Sequence, residues 1–313
     1  MSTAVGARHR WRPQREVEIV AGTPPGGGLD RTARALAKVI DSRRLIEVPV
    51  KVVNIPGDGA RKAWAYVENH AGDPHVLSIS SPNLTTDHLV GIAAFDHTAF
   101  TPLAILYTEY IAFVVRADSA IESGSDLLQR LGVDAASVTV ALSTALGNPN
   151  HIALAKVIRH AGGDVKAPKI RVFDSALDAV ADVVAGNAEV AAITAASAVT
   201  ELAAGTVRAL AVSAPTRLSG LYEQTPTWVE QSVDCVIGAW RGVSGARGLT
   251  AAQIAFWEGV FAAAIATAEW KAALARHYWT GMYLDGPRLR EYLLREDTEM
   301  SALLGDLGLL AER

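Results

Sequence analysis

The sequence of 313 residues has one cysteine, no excess of basic charge and no long apolar run. With Cys235 alone, neither an intramolecular disulfide nor a multi-cysteine metal cage can form, although this leaves the compartment open. Lys plus Arg number 29 against 33 Asp plus Glu, a formal net charge of −4. A nucleic-acid binder shows a basic excess, so nucleic acid is not expected as a partner. A membrane span needs about 20 consecutive apolar residues. The most apolar stretches, Gly259–Ala268 and Val190–Val199, are short and Ala-rich. Residues 1–14 contain Arg8, His9, Arg10 and Arg12 with no apolar run behind them, so they read as a flexible, solvated arm rather than a secretory signal. What is present is 50% hydrophobic and 20% charged residues, which rules out disorder. The length predicts two lobes rather than a single core.

Short β-rich runs alternate with helical stretches. Strands are expected at Val17–Ala21, Pro49–Val53, His75–Ser80, Ile111–Val115, Val138–Leu142, Ile170–Phe173, Glu189–Ile193 and Ala209–Ser213. Between the first two, Leu29, Ala33, Leu36, Ala37 and Ile40 fall on one helical face. Strand, loop, helix and strand in this order make βαβ units and a mostly parallel sheet. The last third reads as helical, over 251–266, 268–278 and 288–304. No Pro/Ser-rich linker divides the chain, so two α/β lobes that exchange strands fit better than separate beads.

The common enzyme motifs fail. Gly26-Gly27-Gly28-Leu29-Asp30-Arg31 has Arg31 where the dinucleotide fingerprint needs its third glycine. Gly242-Val243-Ser244-Gly245-Ala246 misses the nucleophile elbow. The eight histidines form no zinc-binding spacing, and Asp87-His88 and Asp96-His97 read as surface pairs. No metal, cofactor or catalytic residue is assigned.

Two loops remain. Thr23-Pro24-Pro25-Gly26-Gly27-Gly28-Leu29-Asp30 joins a strand to a helix. Its prolines stiffen the approach and its glycines let backbone come close to a ligand. The helix that follows starts with unsatisfied N–H groups and a positive dipole end, which bind an anion without Arg or Lys. Ser143-Thr144-Ala145-Leu146-Gly147-Asn148-Pro149-Asn150-His151 takes the equivalent place in the second lobe. Two such helix starts across a cleft would clamp a small carboxylate. Asp30 is expected to shape its loop rather than touch an anionic ligand.

Taken in order, these pieces resemble the Bug family, the TctC-like substrate-binding proteins of tripartite tricarboxylate transporters. Pro24–Asp30 matches a P-P-G-G-x-x-D segment, and Asn54-Ile55-Pro56-Gly57-Asp58-Gly59-Ala60 an N-R-P-G-A-G-G type segment. Gly72–Leu77, Ser143–His151, Ala204–Ser213 and Pro226-Thr227 echo later family segments. The likeness runs from about Val17 to the C-terminus. It implies a type-II periplasmic binding protein fold, with lobe one at 15–115 plus 212–313, lobe two at 116–211 and a hinged cleft between. It also implies a solute-binding receptor, not an enzyme, that binds a di-/tricarboxylate or aromatic carboxylate in the periplasm and docks on membrane transport subunits as a monomer. Without a leader, the cytoplasm is the alternative.

The site implied comprises Thr23, Pro25, Gly26, Gly27, Gly28, Asp30, Ser81, Asn83, Ser143, Thr144, Asn148, Asn150, His151, Thr194 and Trp240. The chain departs from the family where Ile193-Thr194 replace a frequent Asp-Asn pair, which disfavours an amino-acid ligand. Ala60-Arg61 replace Gly-Asn, and Arg241 follows Trp240 where an aromatic is frequent. Arg61 or Arg241 is therefore a candidate contact for a distal carboxylate, with Trp240 as an apolar wall. Two rivals are kept: a lyase or hydrolase on the same scaffold using Asp30 or His151 as acid/base, and a carboxylate-sensing regulatory partner.

Overall fold

The computed structural model describes residues 11–311. The expected arm lies outside the described residues over 1–10, but its end is pinned. Trp11 packs edge-on against Phe256 and His75, and Pro13 is buried.

The first half is built from β1 (Val17–Ala21), α1 (Gly28–Ser42), β2 (Val50–Asn54), α2 (Arg61–Glu68), β3 (Val76–Ser80) and α3 (Asn83–Leu89). β4 (Phe100–Arg116) leads to α4 (Gly124–Asp134), β5 (Thr139–Ser143), α5 (Pro149–His160), β6 (Lys169–Phe173) and α6 (Ala176–Val184). Next come β7 (Val190–Thr194), α7 (Val199–Ala204) and β8 (Val207–Val212). The chain ends with β9 (Gly238–Ala246), α8 (Ala251–Ile265), α9 (Ala268–Arg276), β10 (Thr280–Leu284) and α10 (Gly286–Asp306).

The strands order as β2-β1-β3-β9-β4-β7-β5-β6, with β8 and β10 also paired to β4. Pairs β1–β2, β1–β3, β5–β6 and β5–β7 are parallel, as the alternation of elements predicts. β4 is antiparallel to all its partners. Its residues Phe100–Tyr110 pair with β9, and Ile111–Val115 with β7. One strand of 17 residues therefore runs through both halves. The sequence reading found only its second part, because its buried run Leu103–Tyr107 has no alternation to mark a half-exposed strand. β9 and β10 were also missed, the first ahead of the three helices read in the last third and the second in the gap between two of them.

The cores follow the sheet halves. Val17, Ile19, Leu36, Trp64, Leu77, Tyr107, Trp257 and Trp270 belong to one. Ile111, Phe113, Val140, Leu154, Ile158, Val190 and Trp228 belong to the other. The second core also takes Val233, Cys235, Leu304 and Leu307, so part of 212–313 packs away from the lobe expected for it. The change of partners along β4 falls between Tyr110 and Ile111 rather than at 115/116. Burial pushes the Cys235 thiol up to about 12, so it stays inert. No single helix among the described residues is long and apolar enough to cross a membrane.

Ser213 ties the two halves where the chain returns. Its Oγ accepts from the Ile111 amide at 2.8 Å and donates to the Ile237 carbonyl at 2.6 Å. The residue is fully buried. Ser213→Ala leaves both partners dry and unpaired and should cost about 2 kcal/mol or more. The urea midpoint measures it, and an unchanged midpoint would refute this role for Ser213.

Candidate functional site

The loops at the carboxyl ends of β1, β3, β5, β6 and β7 converge on one cleft between the halves. Its lining comes from Thr23, Gly28, Leu29, Gly59, Ala60, Ser81, Asn83, Ala239 and Arg241 on one side. Ser143, Thr144, Asn148, Pro149, Asn150, Ala176, Thr194 and Ser197 line the other. The cavity between the walls is about 40 Å³. Ligands of open α/β sheets sit at such strand ends.

The first wall is set by Asp30, which is buried. Its Oδ2 accepts from the Gly26 amide at 2.8 Å and Arg34 Nε at 2.9 Å, and its Oδ1 from Asn54 Nδ2 at 2.8 Å. Burial alone would raise its pKa, but the hydrogen bonds from Arg34, Gly26 and Asn54 outweigh burial and hold it below the usual carboxylate range. Asp30 therefore fixes the loop as an anion and does not line the cleft. Its amide donates to Thr23 Oγ1 at 3.1 Å, and the Arg31 amide to the Gly27 carbonyl at 2.9 Å. The amides of Gly28 and Leu29 keep no partner among the described residues and remain available at the helix start.

The second wall is a network around Asn148. Its Nδ2 donates to the Ser143 carbonyl at 2.7 Å and Thr144 Oγ1 at 2.8 Å, and its Oδ1 accepts from the His151 amide at 3.1 Å. Asn150 Nδ2 donates to Ser143 Oγ at 2.8 Å. The Asn150 amide has no partner among the described residues. α6 adds another helix start, with Ala176 on the cleft and Ser175 capping the Asp178 amide.

The walls touch. Asn83 Nδ2 donates to Thr144 Oγ1 at 3.2 Å. A Cβ at Gly59 would stand 2.3 Å from the Thr144 carbonyl oxygen, so only glycine fits this approach. Gly57, Asp58, Gly59 and Ala60 all have positive φ. At Ala60, φ is 80°, a left-handed conformation that is strained for a residue with a Cβ.

Of the residues read from sequence, Thr23, Gly28, Ser81, Asn83, Ser143, Thr144, Asn148, Asn150, Thr194 and Arg241 come together on the cleft. Pro25, Gly26 and Gly27 shape the loop behind it and are not in the lining. Trp240 is no wall. It points to the opposite face of β9, packs with Ile105, Leu289 and Leu293, and donates to Glu296 at 2.6 Å. Arg61 is turned aside, its Nη1 3.0 Å from Asp87 Oδ2. Asp87 is buried, not a surface residue, and burial pushes its pKa up to about 7 against the pull of Arg61. Among the described residues no His/Cys/Asp/Glu cluster could hold a metal. Leu29, Gly59, Ala60, Pro149, Ala176, Ser197 and Ala239 were missed. Leu29, Gly59, Ala60 and Pro149 lay inside quoted motifs, whereas Ala176, Ser197 and Ala239 carried no sequence signal.

Among the described residues Arg241 is the one cation in the lining. It is 8% exposed, and its Nη2 is 2.7 Å from Oε1 of Glu109, which is buried beneath it. Its Nη1 donates to the Trp240 carbonyl at 3.0 Å, while its Nε has no partner. The same Nη2 is 3.9 Å from where a Gly28 Cβ would stand, so this cation belongs to the α1 end of the cleft.

His151 sits behind the cleft. Its Nδ1 accepts from the Gly147 amide at 2.9 Å, which requires a neutral ring. Burial lowers its pKa to about 4 from 6.5. The unfolded chain thus binds more protons between those values, and stability rises with pH across that window. The stability advantage over His151→Gln should be full above pH 6.5 and shrink toward pH 4. Urea titrations of both proteins at several pH values measure this, and a constant difference would refute it.

No family model matches the chain. A UPF0065 protein from the tcbD-tcbE intergenic region of Pseudomonas sp. (strain P51) is 27% identical over 252 residues, covering 80% of this chain and 68% of that protein. The crystal structure of a TctC solute binding protein from Polaromonas is 25% identical, with a TM-score of 0.66 over 94% of this chain and 99% of that one. An R. palustris protein with adipate superposes at a TM-score of 0.87 over 96% of this chain and 99% of that one. Its identity of 20% makes that a likeness of fold. With the loop motifs in family order along the chain and the cleft built from them, the chain is similar to the TctC-like solute-binding proteins of the Bug family.

Proposed function

We propose that the protein is a receptor that encloses a small carboxylate between its halves and delivers it unchanged to the membrane subunits of a tripartite tricarboxylate-type transporter, from the periplasmic side. The observation that carries this reading is the set of hydrogen-bond donors that line the cleft. Among the described residues the lining holds Arg241, paired with Glu109 beneath it, and no acidic side chain, although the chain as a whole has a net charge of −4. The free amides of Gly28 and Leu29 add donors at the same end, and Asn150 with the Ser143 and Thr144 hydroxyls supplies the other. Donors at both ends suit a dicarboxylate. An amino acid would leave its charged ammonium group without an acidic partner beside Thr194, which costs more than leaving a neutral polar group unpaired. The adipate held by the R. palustris protein of the same fold agrees with this class.

A thermal-shift and calorimetric screen over mono-, di- and tricarboxylates tests the reading. Dicarboxylates should stabilise most and be recovered chemically intact. No stabilisation by any carboxylate would refute the receptor, and altered ligand would make the protein an enzyme.

The Arg241 contact has its own test. The paired variant Arg241→Met with Glu109→Gln removes both charges without stranding one. It should keep the fold while weakening dicarboxylate binding about tenfold or more, as loss of a charged hydrogen bond does. Equal affinity would remove Arg241 from the site.

A further inference from the structure

Arg31, the residue that breaks the dinucleotide fingerprint, reaches across the cleft. It lies in the first turn of α1, yet its Nη2 donates to Ser197 Oγ of the other half at 2.8 Å. Its Nη1 holds the Gly26 carbonyl at 2.8 Å. Ser197 lines the cleft and shares a hydrogen bond of 3.0 Å with Thr194 Oγ1. The guanidinium thus spans from the anion-binding loop of one half to the polar wall of the other.

The same point above Gly28 lies 3.9 Å from Arg31 Nη2 and 3.9 Å from Arg241 Nη2. Two guanidinium groups therefore converge beside the free amides of Gly28 and Leu29. They differ in compensation. Arg241 is neutralised by Glu109, whereas the groups that Arg31 holds, a carbonyl and a hydroxyl, carry no charge. The buried carboxylate nearest in sequence, Asp30, is taken by Arg34. An anion at this end would find the charge of Arg31 unspent.

We propose that Arg31 is a latch. It attracts the ligand carboxylate at the α1 end and, through Ser197, holds the two halves shut over it, so ligand charge and closure are coupled. This rests on the receptor reading above and names the residues that set residence time. A planar fork serves two acceptors at once and an ammonium does not, so Lys is a poor substitute here.

The experiment uses the full chain and the dicarboxylate that binds wild type most tightly in the screen. Association and dissociation rates are measured by stopped-flow tryptophan fluorescence for Arg31→Ala, Arg31→Lys, Ser197→Ala and Arg31→Ala/Ser197→Ala, with circular dichroism confirming the fold. Arg31→Ala and Ser197→Ala should each raise the dissociation rate, by on the order of tenfold to a hundredfold for a charge-assisted bond. The double variant should dissociate no faster than Arg31→Ala, because both changes remove the same link. Arg31→Lys should keep fast association and still dissociate quickly. If Ser197→Ala dissociates like wild type, or the two changes simply multiply, the latch is refuted. If wild type itself binds no carboxylate, the receptor reading fails first and is recognised separately.

Discussion

The strand β4 is the constraint on which the rest depends. It is one continuous hydrogen-bonded element that serves two sheets in turn, to β9 and β10 along its first part and to β7 and β8 along its second. Every parallel βα unit on either side is oriented by its strand's pairing, and the loops at their carboxyl ends are thereby aimed at the same gap. Ser213 reinforces the crossing by bonding both Ile111 and Ile237. A cleft assembled this way can have walls that move relative to one another while each wall stays rigid, because each has its own apolar core.

Rigidity of the walls comes from polar side chains spent on backbone. Asp30 uses its oxygens on Gly26, Arg34 and Asn54, and Asn148 bonds Ser143, Thr144 and His151. Neither residue needs to touch a ligand to determine the site. Each holds a helix start in a fixed place, so the amides that would meet an anion are positioned before it arrives. A site of this kind draws its attraction from dipoles and hydroxyls, which is why a chain with net negative charge suits an anion. Arg31 and Arg241 then add positive charge at one end only, which gives the cleft a direction.

Much of this was readable in the sequence. The Pro-Pro-Gly-Gly-Gly and Ser-Thr…Asn-Pro-Asn loops are local devices, with turn residues, caps and helix starts within a few positions, and they stand where their patterns indicate. The roles of Asp30 as loop former and Ser143, Thr144, Asn148 and Asn150 as cleft residues needed only that local logic. Trp240 and Arg61 misled because their surroundings are made by distant segments. Trp240 faces Glu296 on α10, and Arg61 faces Asp87 on α3. The three helices of the last third stand where they were read, but β9 before them and β10 between them were missed for a related reason. Their strand character is supplied by pairing with β4 rather than by their own periodicity.

The sequence by itself determined the α/β alternation, the two polar loops at helix starts and the order of motifs that resembles the Bug family, because each depends on residues adjacent along the chain. Only the tertiary structure decided which charged side chains reach the cleft. Arg31 meets Ser197 across 166 positions and Arg241 meets Glu109 on a neighbouring strand, while Arg61 and Trp240 are drawn elsewhere. The physical reason is that a charge is oriented by whichever partner folding brings within a few ångströms, and that partner is not written beside it.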